Sequence, residues 1–152
     1  MVSKGETKMN LAFFVQTTRK SDENDEIYDL LNDGLADNVI KDACVFYNQV
    51  DFNDKKKNFG TFNSTDLWNF SGGLVVDELK NLSFASRVVN NIKLAYLYKN
   101  ENNLIALLAI TSSVPVITRN EKDQKEYFRL TGRKSVLMED FSATNILKVW
   151  DE

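Results

Sequence analysis

The chain has 152 residues, no histidine, one cysteine and a formal net charge of −3 at pH 7. The absent histidine excludes Ser-His-Asp and Cys-His catalysis and histidine metal sites within the chain, and a single cysteine excludes an intrachain disulfide and a cysteine-based zinc site. The acidic balance argues against a protein that coats nucleic acid, because such a protein needs an excess of Lys and Arg.

The cysteine, Cys44, stands in the apolar run at residues 43–46, which predicts a buried and unreactive thiol. Secreted domains of this size usually carry cysteine pairs, so we expect a reducing cytoplasm as the compartment.

The longest apolar run, residues 104–110, is far shorter than the ~20 residues of a transmembrane helix, and no membrane is expected as a partner. Residues 1–6 resemble the leader with which fluorescent proteins are expressed, so we assign residues 1–8 to a leader and expect one domain at residues 9–152.

Short, continuously apolar runs in the first half of the chain predict buried strands, and apolar residues spaced three or four apart predict an amphipathic helix. In chain order, the predicted elements are a strand at 11–15, a helix carrying Ile27, Leu30, Leu31 and Leu35, a strand at 44–47, extended pieces at 59–62 and 66–70, a turn at 71–73 and a strand at 74–76.

The second half continues the alternation of strands and helices. The predicted elements are a helical face at 79–89, a strand at 94–98, a buried helix at 102–112 (of which 105–111 also fits a strand), a strand at 114–118, a charged helix at 120–130, a strand at 136–138 and a final helix carrying Ile146, Leu147 and Trp150. Gly132 is placed to end the charged helix, and Ser142 to begin the last one.

Strands that are apolar throughout and alternate with helices indicate a parallel sheet covered on both faces. The sequence therefore predicts an α/β fold: a single doubly wound, mostly parallel sheet with helices on both faces, which is a Rossmann-like three-layer sandwich.

The residues 116–120, the charged helix after them, and residues 136–141 with their short helix resemble the closing strand–helix–strand–helix of a Rossmann-like half of a GT-B type glycosyltransferase. Asp66-Leu67-Trp68 followed by Gly72 to Val76 adds to this resemblance, which covers most of the chain in outline. Genes of this kind occur in large tailed bacteriophages, and the abundant Lys, Asn, Phe and Ile are compatible with that origin and with the cytoplasm of an infected bacterium.

The resemblance implies a nucleotide sugar or related phosphate ligand, with or without a divalent cation. Enzymes of this type bind their substrates between two Rossmann-like halves, whereas this chain has room for one. It therefore works as a homo-oligomer or with another subunit, or it has lost the activity. The rival hypothesis is a non-enzymatic interaction module for a phage or host protein, which predicts an exposed aromatic patch around Trp68, Phe70 or Trp150.

Ligands of doubly wound sheets bind at the carboxyl ends of the strands, where the strand order reverses. We place four loops at that edge of the sheet. They begin at Thr17-Thr18-Arg19, Ser71-Gly72-Gly73, Arg119-Asn120 and Glu139-Asp140.

Arg119 is the first candidate for contact with an anion, since guanidinium groups bind phosphate through two parallel hydrogen bonds. The alternative is a structural ion pair with Glu139 or Asp140. Glu139 resembles the acidic residue that contacts the ribose in the enzyme family, and its alternative role is to sit near the start of the final helix.

The remaining candidates also have structural alternatives. Thr17, Thr18 and Arg19 offer two hydroxyls and a guanidinium to a phosphate, or simply open a polar loop. Gly72 and Gly73 offer backbone amides to a diphosphate, or form a tight turn. Asp66 and Asp140 are weaker candidates for a general base or a metal ligand. The basic run at 55–57 indicates a solvated loop tip in preference to a phosphate contact.

Overall fold

One sheet of seven parallel strands forms the centre of the computed structural model, which describes residues 8–88, 90–101 and 103–151. The strands are β1 (Leu11–Thr17), β2 (Ala43–Gln49), β3 (Gly60–Asn63), β4 (Gly72–Val76), β5 (Ile92–Leu97), β6 (Val116–Thr118) and β7 (Val136–Leu137). The α-helices are α1 (Asp22–Ala36), α2 (Leu79–Ser86), α3 (Leu104–Ile110), α4 (Glu121–Thr131) and α5 (Ala143–Lys148). The predicted leader falls on residues 1–8, and its first seven residues lie outside the described part of the chain.

The strands alternate their side chains between two apolar cores, one on each face of the sheet. In β1, Leu11, Phe13 and Val15 pack against α1 and α5, whereas Ala12 and Phe14 face the opposite core. That second core is covered by α2, α3, α4 and a 3-10 helix at Ser64–Asn69. The observed three-layer arrangement confirms the predicted fold class.

The strand order is β3-β2-β1-β4-β5-β6-β7, so the chain moves outward from β1 to β3, returns, and then moves outward in the other direction from β4 to β7. The order reverses between β1 and β4, which pair directly: Leu11 lies opposite Gly73 and Phe14 opposite Val76. In such sheets the loops that leave neighbouring strands at this point turn to opposite faces and leave a crevice at the carboxyl edge. This part of the carboxyl edge is therefore where the fold favours a ligand.

The predicted helix ends are confirmed by their capping contacts. The Asn120 side chain accepts a hydrogen bond from the Asp123 amide (2.8 Å), and Gly132 ends α4 at φ +71°, a left-handed conformation that favours glycine. The Ser142 hydroxyl caps α5 in the same way by accepting from the Asn145 amide (3.2 Å). The segment that fitted either a helix or a strand is the helix α3.

The extended piece predicted at residues 66–70 is wrong, because residues 64–69 form the 3-10 helix. The Asn63 side chain begins this helix by accepting from the Thr65 amide (3.0 Å). Leu67 and Phe70 are both buried, and their separation of three residues matches one turn of a 3-10 helix. In the sequence, the same apolar spacing suggested a partly alternating strand.

Cys44 lies in β2 as a buried, free cysteine, as predicted. Burial raises the pKa of its thiol to about 12, and the charge of the nearby Asp42 carboxylate contributes a smaller part of this shift. The reactive thiolate is therefore not populated near neutral pH. None of the helices in the described ranges is long and apolar enough to cross a bilayer.

Candidate functional site at the carboxyl edge

A pocket of about 210 Å³ opens at the carboxyl ends of β4, β5 and β6. The start of α1 and the residue Phe141, just before α5, close its other sides. Its charged lining residues are Glu23, Glu26, Asp77, Lys99, Arg119 and Asp123. Four carboxyl groups against two basic groups give this pocket an acidic lining.

Arg119, directly after β6, is held on three sides. Its Nε donates to the Met138 carbonyl (3.0 Å), and its guanidinium carbon lies 4.3 Å from the centre of the Phe141 ring. Its two terminal nitrogens donate to the two carboxylate oxygens of Glu26 (2.9 and 3.1 Å). The guanidinium is therefore fixed in orientation, with its paired donors turned towards α1.

The alternative prediction for Arg119, an ion pair with Glu139 or Asp140, is wrong, because its partner is Glu26, 93 positions earlier in the chain. The Met138 carbonyl takes the Nε donor, and this contact directs the other nitrogens away from the residues that follow it. Glu139 and Asp140 are both exposed, and the Asp140 carbonyl instead accepts from the Asn145 side chain (2.8 Å).

Asp77, the residue after β4, is a site residue that the sequence reasoning missed. Its Oδ2 lies 3.2 Å from the ammonium of Lys99, which comes shortly after β5. Its Oδ1 is buried and has no hydrogen-bond partner among the described residues. The sequence carries a signal for it, since Asp77 immediately follows the predicted strand at 74–76, at its carboxyl end.

Burial raises the pKa of the Asp77 carboxyl above its ordinary value, and the charge of Lys99 opposes this shift without cancelling it. A raised pKa in the folded state means that folding favours the protonated carboxyl. The contribution of this carboxyl to the stability of the fold is full below its pKa in the unfolded chain, about 3.9. It is lost as the pH rises through its pKa in the folded protein.

We therefore expect the native protein to lose stability relative to the Asp77→Asn variant as the pH rises from about 3.5 to 7. The measurement is the free energy of unfolding in urea for both proteins at several pH values. Parallel curves over that range would contradict the expectation, as would a loss on the acid side alone.

Thr17, Thr18 and Arg19 lie at the carboxyl edge, as predicted, but do not line the pocket. The Thr18 hydroxyl accepts from the Asp51 amide and donates to the Asp51 carbonyl (both 2.8 Å). The Arg19 Nε lies 3.1 Å from an Asp51 carboxylate oxygen, and the Thr17 hydroxyl accepts from the Arg19 amide (3.2 Å). These contacts tie the loop after β1 to the loop after β2.

Ser71, Gly72 and Gly73 do not stand at the carboxyl edge, and this part of the prediction is wrong. The strand β4 begins at Gly72, so the two glycines lie at its amino end, on the opposite edge of the sheet. Their amides already donate to the Asn91 and Asn10 carbonyls (3.0 and 2.9 Å), and they are not the free donors expected for a diphosphate.

Asp66 lies in the first turn of the 3-10 helix and is exposed, far along the sheet from Arg119. Within the described ranges, no group of three or more acidic or cysteine side chains is arranged to hold a metal ion. Of the predicted candidates, only Arg119 lines the carboxyl-edge pocket. Asp77, Lys99 and Glu26, which were not predicted, line it as well.

Comparison of the chain with protein-family models, with curated proteins and with solved structures finds no match.

Proposed function

We propose that this chain is a phage-type, glycosyltransferase-like Rossmann-like domain that binds part of a nucleotide sugar, or a related phosphate ligand, in the carboxyl-edge pocket. The observation that supports the proposal is the orientation of Arg119. Its backbone and ring contacts fix the guanidinium, and its two terminal nitrogens donate to the Glu26 carboxylate, which occupies the position suited to a phosphate.

The Glu26 carboxylate stands in for a phosphate in this proposal, because both anions accept two parallel hydrogen bonds from a guanidinium. The Glu26 side chain is 47% exposed, whereas that of Arg119 is 27% exposed. Ion pairs this exposed contribute only about 0–1 kcal/mol, so a phosphate that binds Arg119 displaces Glu26 at little cost.

The other walls of the pocket suit the uncharged part of such a ligand. Glu23, Asp77 and Asp123 present carboxylate oxygens, which accept hydrogen bonds from sugar hydroxyls but repel a second phosphate. The volume of about 210 Å³ falls below the roughly 300–1,000 Å³ of most small-molecule sites, so it holds only part of a nucleotide sugar. A second copy or another subunit would supply the remaining contacts.

The test is a titration of the purified protein with nucleoside diphosphates and their sugar esters, with magnesium or manganese present, followed by calorimetry and thermal shift. We expect Glu26→Gln to tighten binding several-fold, since it removes the competing charge. Arg119→Lys keeps the charge but loses the paired donors, and should weaken binding at least tenfold, in line with about 1.5–3 kcal/mol for a charged hydrogen bond.

Glu121→Gln provides the matched control, because Glu121 is exposed at the start of α4 and does not line the pocket. Its affinity should equal that of the native protein. The absence of binding by every ligand in the panel would overturn the proposal. Equal affinities for the native protein and the Arg119→Lys variant would do the same.

The second candidate function is a non-enzymatic protein-interaction module, and the exposed Trp68 favours it. Trp68 is 50% exposed, whereas Phe70 is buried and Trp150 is only partly exposed, with its indole donating to the Leu94 carbonyl (2.9 Å). A dimer in solution that Trp68→Ser dissociates, together with a blank ligand panel, would favour this module over the transferase-like domain.

The basic run at residues 55–57 is largely occupied within the fold. The Lys55 ammonium lies 3.0 Å from an Asp29 carboxylate oxygen, and the Lys57 ammonium donates to the carbonyls of Asn53 and Lys55 (3.0 and 2.9 Å). These contacts favour the loop interpretation of the run over a phosphate contact.

A further inference from the structure

A cavity of about 690 Å³ lies at the amino edge of the sheet, away from the carboxyl-edge pocket. The starts of β1, β4 and β5, the segment before β2 and the end of α5 enclose it. Its volume falls within the range of about 300–1,000 Å³ that small-molecule sites occupy, so it can hold a whole ligand.

The charge of this cavity is opposite to that of the carboxyl-edge pocket. Lys41 and Lys93 line it, and within the described ranges neither forms an ion pair. Asp151 is the one acidic residue of its described lining. Lys8, which belongs to the predicted leader, lines it as well.

Several basic residues at the other edge of the sheet are neutralised by carboxylates. The ion-paired ones are Arg19, Lys20, Lys55, Lys99 and Arg119. All five lie at or beyond the carboxyl ends of the strands. Lys41 and Lys93, which form no ion pair within the described ranges, give the amino-edge cavity an attraction for anions.

One wall of the cavity is aromatic and fixed in place. The Trp150 indole donates to the Leu94 carbonyl (2.9 Å) and lies against Gly73, whose missing side chain leaves room for the ring. Leu147 and Val39 extend this wall with apolar surface. An aromatic wall beside ammonium groups suits a ring that carries an anionic group.

We propose that the amino-edge cavity is a second ligand site, which binds a phosphate monoester with a planar ring, the ring against Trp150 and the phosphate at Lys41 and Lys93. This site is independent of Arg119 and of the function proposed for the carboxyl edge. It uses lysine, which binds phosphate as a point charge, where the other pocket uses the paired donors of an arginine.

The test uses adenosine monophosphate as the probe, with adenosine and inorganic phosphate as comparisons. Binding is followed by Trp150 fluorescence in a Trp68→Phe background, which leaves Trp150 as the single tryptophan. We expect adenosine monophosphate to bind at least tenfold more tightly than either comparison, and its affinity to fall as salt is raised.

The double variant Lys41→Ala/Lys93→Ala should lower the affinity for adenosine monophosphate at least tenfold. Lys122→Ala/Lys125→Ala is the matched control, because it removes the same charge from two exposed lysines of α4 and should leave the affinity unchanged. Arg119→Lys should also leave it unchanged, which separates this site from the carboxyl-edge pocket.

Three results would overturn the proposal. They are no binding of adenosine monophosphate, equal binding of adenosine or inorganic phosphate, and an equal loss of affinity in the two double-lysine variants. The last of these would reveal a general charge effect in place of a site.

Discussion

Gly73→Ala is expected to lower the free energy of unfolding by about 2–4 kcal/mol. A methyl group at this position would lie 2.5 Å from one carbon of the Trp150 ring and 2.7 Å from another, so the ring has to move. Overpacking of this kind costs about 1–3 kcal/mol, and displacement of the ring also breaks the hydrogen bond to the Leu94 carbonyl, worth about 0.5–1.5 kcal/mol.

The measurement is urea unfolding of four proteins: the native chain, Gly73→Ala, Trp150→Ala and the double variant. In the Trp150→Ala background the added methyl group meets no ring, so Gly73→Ala should cost less than about 1 kcal/mol there. An equal cost in both backgrounds would show that the contact with Trp150 is not the cause. Intrinsic fluorescence of the single variant should also report a more exposed tryptophan.

Thr111→Val is expected to cost about 1–3 kcal/mol, although it hardly changes the shape of the side chain. Thr111 and Tyr127 are both buried, and the Tyr127 hydroxyl donates to the Thr111 hydroxyl (3.0 Å). Arg133 donates to the same oxygen (3.1 Å) and to the Leu108 carbonyl (2.8 Å). A valine leaves the tyrosine hydroxyl buried without this acceptor, and an unsatisfied buried group carries a cost of that size.

The companion variant is Thr111→Val/Tyr127→Phe. It also removes the Tyr127 hydroxyl, which Thr111→Val leaves without its acceptor, and it should recover part of the lost stability. Ser112→Ala is the control, because Ser112 is the neighbouring hydroxyl and is exposed, and its loss should stay within about 0.5 kcal/mol. If thermal or urea unfolding gives Thr111→Val the same stability as Ser112→Ala, the buried hydrogen bond contributes little and the expectation is wrong.

The distribution of charge along the sheet connects the two proposed sites. At the carboxyl edge, Arg19, Lys99 and Arg119 are each paired with a carboxylate, and the lining of the pocket there is acidic. A ligand phosphate at that edge must compete with Glu26, whereas one at the amino edge meets unpaired lysines. Binding at the two edges should therefore respond differently to Glu26→Gln, which affects only the first.

The sequence by itself determined the fold class and most of the elements. Apolar runs such as residues 11–15 and 74–76 are buried strands, and the stripe of Ile27, Leu30 and Leu31 lies on the buried face of α1. These features follow from local periodicity and from capping residues a few positions apart, such as Asn120 and Gly132. Where local spacing is ambiguous, as at 66–70, the sequence reasoning failed.

Only the tertiary structure decided which side chains meet. Glu26 reaches Arg119 across 93 positions, and Lys99 reaches Asp77 across 22, because parallel strands bring distant loops to one edge. The glycines at 72 and 73 lie at the opposite edge, since a strand that starts at Gly72 has its carboxyl end at Val76. Periodicity shows that a segment is a strand, but a shift of a few residues in its boundary exchanges the two edges of the sheet, and with them the residues that can form a site.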